Sequence, residues 1–123
     1  MVTMPVLFDT NILIDYLRGI PQARAEADRH SARAVSIVTW MEVMAGSTAV
    51  NEADARSFLL NFYTLPLGAD VAERAFLLRR TNRVKLPDAI IQATAEESGR
   101  ILITRNIRDF PLGTPGVLIP YTL

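Results

Sequence analysis

The sequence predicts an α/β domain built on a mostly parallel sheet, and three observations carry that expectation. Short, largely apolar runs at 6–8, 34–38, 101–104 and 117–119 are separated by longer stretches with helical spacing. Strands alternating with helices are the pattern of parallel α/β sheets. The runs are continuously apolar rather than alternating, which suits strands covered on both faces. The chain has 123 residues, half of them hydrophobic. That is the length and apolar content of one domain with a real core, so 1–123 is read as a single unit.

Taken in order, Val6-Leu7-Phe8 reads as a buried strand and Asp9-Thr10-Asn11 as the start of a helix. Ile12, Leu13, Tyr16 and Leu17 continue it at helical spacing until Gly19 and Pro21 stop it. Residues 22–30 form a second, polar helix, and 34–38 a second strand rich in β-branched residues. A helix then begins at Thr39, with Trp40, Val43 and Met44 on one face and Gly46 at its end. Residues 51–63 are expected helical through Ala55, Phe58, Leu59 and Phe62, and 65–67 form a short extended connection. A helix over 70–81 places Val71, Ala72, Ala75 and Phe76 inward. Pro87 suits the first turn of a helix that runs to about Ser98 and closes at Gly99. The run 101–104 is a third strand, and 117–119 a fourth at the edge, closed by Pro120.

Composition removes several functional classes. Thirteen basic and thirteen acidic residues cancel, so no broad basic face signals nucleic-acid binding. There is no cysteine, which excludes disulfides, thiolate metal sites and cysteine nucleophiles. The one histidine, His30, excludes His–His metal motifs and reads as a solvated helix-end residue. Asp9 and Asp15 interrupt the N-terminal apolar stretch, unlike a signal peptide, and no apolar run reaches membrane-helix length. A soluble, cytoplasmic protein with no membrane partner is the expectation.

Four acids fall where an α/β sheet places its chemistry, at the carboxyl ends of strands. Asp9 directly follows the first strand, and Glu42 is expected in the first turn of the helix after the second. Asp88 lies in the first turn of its own helix, and Asp109 follows the third strand by a short turn. Crowded carboxylates raise one another's pKa, and a divalent cation relieves that conflict. Oxygen ligands suit Mg²⁺ or Mn²⁺. Each acid also has a plainer role. Glu42 stands three residues after Thr39, a capping-box spacing. Asp88 favours the positive end of a helix, Asp9 suits an N-cap, and Asp109 suits a turn. The remaining acids, among them Asp15, Asp28, Glu52, Asp54, Glu73, Glu96 and Glu97, read as solvated.

The segment Val6-Leu7-Phe8-Asp9-Thr10-Asn11-Ile12-Leu13-Ile14 resembles the opening of PIN-domain proteins. Residues 36–46, Ser-Ile-Val-Thr-Trp-Met-Glu-Val-Met-Ala-Gly, look like that family's second-acid motif, and 86–95, Leu-Pro-Asp-Ala-Ile-Ile-Gln-Ala-Thr-Ala, like its third-acid helix. Residues 103–110, Ile-Thr-Arg-Asn-Ile-Arg-Asp-Phe, resemble its closing motif. The motifs stand in the family's order over nearly the whole chain, and the small single-domain form is most similar to VapC-type toxins of toxin–antitoxin pairs. The resemblance implies a PIN-like three-layer α/β/α fold with a central parallel sheet of four to five strands. It implies a divalent-metal-dependent endoribonuclease, using Mg²⁺ or Mn²⁺, that forms a homodimer and is held inactive by a cognate antitoxin. Asp9, Glu42 and Asp88 match the family's metal-site acids. Some members carry the fourth acid where this chain has Asn106; here Asp109, three residues later, takes that role. Thr10, Asn11, Thr104 and Asn106 match polar positions lining the site.

Arg79, Arg80, Arg83 and Lys85 stand just before Asp88, and Arg105 and Arg108 flank Asn106. These cations are candidates for RNA phosphate contacts, or else solvated residues favouring a helix C-terminus. The helices at 22–30 and 40–46 are expected to form part of a groove for an antitoxin segment, with Trp40 either its aromatic anchor or ordinary core. The rival readings are a PIN-like module that only binds RNA or protein, an aspartate-based phosphatase or response-regulator-like domain, and a DNA flap nuclease. Retention of all four acids argues against the first. The lack of an Asp pair at the first strand and of a Lys after Ile103 argues against the second. The third usually needs clamp elements for which 123 residues leave no room.

Overall fold

β1 (Val6–Phe8) runs through the centre of a five-stranded sheet ordered β3-β2-β1-β4-β5, with every neighbouring pair parallel. The computed structural model describes residues 4–123. The other strands are β2 (Arg33–Ser36), β3 (Tyr63–Leu65), β4 (Ile101–Ile103) and β5 (Val117–Leu118). Successive strand side chains point to opposite faces, and the core divides accordingly. Val6, Phe8, Val35 and Ile103 enter one cluster with Ile12, Leu13, Ala27, Leu59 and Phe62. Leu7 and Leu102 enter the other with Val38, Ile91, Ala95 and Phe110. The first face is covered by α1 (Thr10–Leu17), α2 (Pro21–Asp28) and α4 (Glu52–Leu59). The second is covered by α6 (Leu86–Glu97), backed by α5 (Ala69–Asn82). Helix α3 (Ile37–Ala45) contributes to both clusters through Val38 and Val43. This is the expected three-layer α/β/α arrangement, with the upper of the two expected strand numbers.

The α5–α6 contact is made largely by small residues. Val71 and Ala75 meet Ala89 and Ala93, with Val84 between. Phe76 and Ala72, expected inward, face out instead. Phe76 lies beyond the thin Ala seam, and the Arg80 guanidinium stacks over its ring at 4.5 Å. Pro87 sits inside the first turn of α6, where its missing N–H costs nothing. Arg83 ends α5 in the left-handed conformation, with φ 59°, a position usually filled by glycine.

Three further expectations give way to the structure. Helix α3 starts at Ile37, not Thr39, because the Ser36 hydroxyl supplies the cap by accepting from the Val38 N–H at 3.0 Å. Ile37 and Val38 are β-branched and suit a buried helix start as well as a strand. Helix α4 stops at Leu59, and 63–65 form edge strand β3, paired with β2 from Ala34↔Tyr63 to Ser36↔Leu65. With Phe62 buried and Tyr63 exposed, this segment mimics the continuation of an amphipathic helix. His30 is not solvated but 5% exposed. Glu26 lies four residues before it, on the same side of α2, and the two side chains meet Nε2 to Oε2 at 2.6 Å. The imidazole packs edge-on against Phe8. Among the described residues no helix is long and apolar enough to cross a membrane.

Candidate active site

The chain runs from β1 outward through β2 to β3, then returns to β4 on the other side of β1. The strand order therefore reverses between β1 and β4, and their carboxyl ends form the crevice where such sheets bind ligands. Asp9 follows β1 there. Thr104, Asn106 and Asp109 follow β4, and the Asp9 N–H donates to the Ile103 carbonyl at 2.8 Å, extending the strand pairing to the site itself.

Asp9 is 5% exposed and caps α1, as one of its plainer readings requires, by accepting from the Thr10 N–H at 2.7 Å. Capping does not exhaust its capacity. The Thr104 hydroxyl donates to its Oδ2 at 2.8 Å, and Asn11 Nδ2 donates to the same atom at 3.3 Å. Thr104 is fully buried and every hydrogen-bonding valence of its hydroxyl is used, since it also accepts from Asn11 Nδ2 and from the Asn106 N–H, each at 3.1 Å. Despite these donors, burial first, and then the charges of Asp88 and Glu42, push the Asp9 carboxyl up to about 6. Desolvation outweighs the hydrogen bonds from Thr104 and Thr10, as expected for a charge buried at the end of the central strand.

Glu42 is exposed, and its Oε1 accepts from the Thr10 hydroxyl at 2.6 Å. The single Thr10 proton is thereby committed, so in the 2.9 Å pair of hydroxyls Thr39 is the donor and Thr10 the acceptor. With Ser36 as N-cap, Glu42 lies in the second turn of α3 rather than the first, and its capping-box reading falls with that shift. Asp88, in the first turn of α6, has its carboxyl raised by partial burial and by the charges of Asp109 and Glu42, against a smaller opposing pull from Lys85. Asp109 Oδ2 accepts from Asn106 Nδ2 at 2.9 Å, and the Asp109 N–H donates back to Asn106 Oδ1 at 3.3 Å. Asp88 and Glu42 thus act electrostatically on Asp9, and Asp109 and Glu42 on Asp88, with Thr10, Asn11, Thr104 and Asn106 hydrogen-bonded among them.

The donor set is all oxygen, with no cysteine in the chain and the one histidine bound to Glu26 elsewhere. Mutual repulsion at a buried edge is what a hard divalent cation relieves. Among the described residues no three His, Cys, Asp or Glu side chains meet as a ready-made cage for an ion. Mg²⁺ needs no such cage, because it keeps several waters and takes one or two carboxylates plus substrate phosphate. The residues fit such an ion.

One expectation is corrected at this site. Asp15 is not a solvated acid but is 2% exposed. Its carboxylate accepts from Arg105 Nε at 2.6 Å and Nη2 at 3.1 Å, and from the Tyr121 hydroxyl at 2.8 Å. Burial alone would raise its pKa, but these donors together hold it below the ordinary carboxylate value. The guanidinium of Arg105 is therefore held to Asp15 through Nε and Nη2. Arg79, Arg80, Arg83, Lys85 and Arg108 are exposed and form no ion pair among the described residues. An open cleft is lined by Ile14, Leu17, Val43, Ser47, Asp54 and Ala55, from α1, α3, α4 and the turn after α3, and α2 does not line it. Trp40 is half-buried, packs against the first core cluster and carries the Arg56 guanidinium over its ring. Sequence reasoning missed Tyr121, which stands in no recognisable spacing, and read Thr39 only as a helix start, not as a donor to Thr10. It also missed the significance of Asp15, which sits three residues after Ile12 on the buried face of α1.

Residues 6–111 match the family described as PIN domain. Ribonuclease VapC10 of Mycobacterium tuberculosis is 31% identical, with 87% of this chain and 86% of that protein covered. A toxin–antitoxin complex from Klebsiella pneumoniae contains a chain 44% identical, with a TM-score of 0.90, covering 96% of this chain and 99% of that one. A DNA-bound VapBC from Salmonella typhimurium, at 23% identity and a TM-score of 0.78 over 94% and 96% of the two chains, shares the fold. The family match over residues 6–111, together with these relatives, establishes that the chain belongs to the PIN-domain family.

Proposed function

We propose that this chain, acting as one domain over 1–123, is the endoribonuclease toxin of a toxin–antitoxin pair. The observation that carries the reading is Asp9. It is a buried carboxylate driven up to about 6 at the switch point of the sheet, with Glu42 and Asp88 among the causes. A site held in that strain has a use for a divalent cation and a phosphate. The similarity to Ribonuclease VapC10 and to the Klebsiella pneumoniae toxin–antitoxin complex supports the substrate class and the partner.

In this reading Asp9 and Asp88, with Glu42 and Asp109, hold Mg²⁺ or Mn²⁺. Bound there, the ion supplies Lewis-acid polarisation of a phosphate oxygen and lowers the pKa of water. The protein's own work is orientation. Thr104 and Asn11 fix the Asp9 carboxylate, Thr10 fixes Glu42 and Asn106 fixes Asp109. Arg79, Arg80, Arg83, Lys85 and Arg108 supply positive charge to position RNA phosphates without reading sequence. The expected result is cleavage of structured RNA in Mg²⁺ or Mn²⁺ that EDTA stops, and undiminished cleavage in EDTA would refute the metal chemistry.

The partner is a cognate antitoxin, and the enzyme works in the cytoplasm as a homodimer. The α1–α3–α4 cleft, with apolar walls from Ile14, Leu17 and Val43, suits a segment of that antitoxin. Co-expression with the product of a short adjacent reading frame should yield a complex with lowered ribonuclease activity. A neighbour that neither binds nor inhibits would remove the toxin assignment and leave the nuclease intact.

A further inference from the structure

The Asp15–Arg105–Tyr121 cluster lies outside the acidic rim, yet both of its flanks lead into it. Asp15 belongs to α1, the helix whose first turn carries Thr10 and Asn11. Arg105 stands between Thr104, whose hydroxyl donates to Asp9, and Asn106, whose amide donates to Asp109. The Arg105 N–H donates to Asn11 Oδ1 at 3.3 Å, and Asn11 Nδ2 donates in turn to Asp9 and Thr104. The side chain and backbone of Arg105 therefore tie the segment after β4 to two points on α1. Two-pronged guanidinium pairing fixes direction as well as distance. The third member, Tyr121, comes from the C-terminal tail, beyond the 6–111 stretch that matches the family. Its hydroxyl donates to the oxygen that also receives Arg105 Nε.

We propose that Asp15, Arg105 and Tyr121 form a positioning clamp for the active site, fixing the 104–109 segment against α1 so that Thr104, Asn106 and Asp109 stand in register with Asp9. None of the three needs to touch substrate or ion; each acts through the residues it holds. The clamp rests on the functional reading above and deepens it, by making the C-terminal tail part of what sets metal affinity.

The test uses the full chain and Mn²⁺ as probe, with free ion followed by its paramagnetic resonance signal, at a temperature where circular dichroism shows every variant folded. Arg105→Gln should weaken Mn²⁺ binding roughly 10-fold, the lower end of what outer-shell partners usually contribute. Arg105→Lys should recover part of that loss through one remaining charged hydrogen bond. Tyr121→Phe, which removes one hydroxyl and little packing, should weaken binding by a smaller factor. Amide hydrogen exchange supplies a readout independent of any ion. Exchange should quicken at 104–110 in Arg105→Gln and Tyr121→Phe while α5 and α6 keep their protection. Parent-like Mn²⁺ affinity with parent-like exchange at 104–110 would overturn the clamp. So would exchange that quickens uniformly across the chain, which is the mark of a brace for the whole fold. Wild-type protein that neither binds Mn²⁺ nor cuts RNA would instead sink the functional reading, and the exchange pattern alone would then decide whether the clamp holds the segment.

Discussion

Asp9→Asn is expected to abolish RNA cleavage and, without metal, to leave a protein that is more stable than its parent at neutral pH. The direction follows from the raised carboxyl. Its pKa is about 6 in the folded state against an ordinary 3.8. Between those values the folded state binds more protons than the unfolded one, so stability falls as pH rises. The advantage of the neutral form is fully present below about pH 3.8 and lost as pH passes through about 6. At pH 7 the parent carries the whole cost. At about 1.36 kcal/mol for each pKa unit, a shift of about two units corresponds to roughly 3 kcal/mol.

Asn cannot ionise, so it escapes that cost, and it is as good an N-cap as Asp. It recovers only part of the sum, because its buried amide must find a partner of its own. A net gain of about 1–2 kcal/mol is expected, or several degrees in melting temperature. The parent's melting temperature should fall between pH 4 and pH 7 more steeply than the variant's. Adding Mn²⁺ should raise the parent's, since binding to the folded state alone stabilises it, and should raise the variant's far less. Cleavage should drop by at least the roughly 10–100-fold typical of disturbing a ligand's supporting partners. A variant that melts below the parent by about 0.5–2 kcal/mol, the size of a lost cap, would make Asp9 structural.

The acids of the rim were legible because each follows an element the apolar pattern already defines. A charge placed directly after a continuously apolar strand, as Asp9 is, has few cheap explanations. What escaped depends on pairing over long separations or on a choice between two good local options. Asp15 sits in an apolar run and finds its partner 90 residues away in Arg105, and a carboxylate on a core face shows no sign of that pairing. Tyr121 is farther still, 106 residues from Asp15. Ser36 and Thr39 are both competent caps, and the choice was made by where β2 stops pairing with β3. His30 followed the ordinary preference of histidine for exposed helix ends until Glu26 offered it a buried acceptor. Edge strand β3, only three residues long with two of them exposed, carries too little apolar pattern to stand out from the end of a helix.

Glu42→Gln separates charge from shape at the one acid of the rim that is exposed. With the cap of α3 supplied by Ser36, no end-capping role is left for Glu42. Its one hydrogen bond is accepted from Thr10 through Oε1, and Gln presents the same oxygen in the same place. The variant should therefore melt within about 0.5 kcal/mol of the parent, as surface changes do. The negative charge is gone, however, and both Asp9 and Asp88 feel it. Each has its carboxyl raised in part by Glu42. Their titrations, followed by carbon NMR of the carboxyl groups, should move towards lower pH in the metal-free variant. Cleavage at limiting Mg²⁺ should fall about 100-fold or more, by the same reasoning as for Asp9. Raising Mn²⁺ should restore part of the rate, because Mn²⁺ binds a weakened oxygen site more tightly than Mg²⁺ and demands less ideal geometry. Full activity at low Mg²⁺, with the Asp9 and Asp88 titrations displaced all the same, would show that Glu42 shapes the field of the site without holding the ion. Asp9, Asp88 and Asp109 would then carry the chemistry alone.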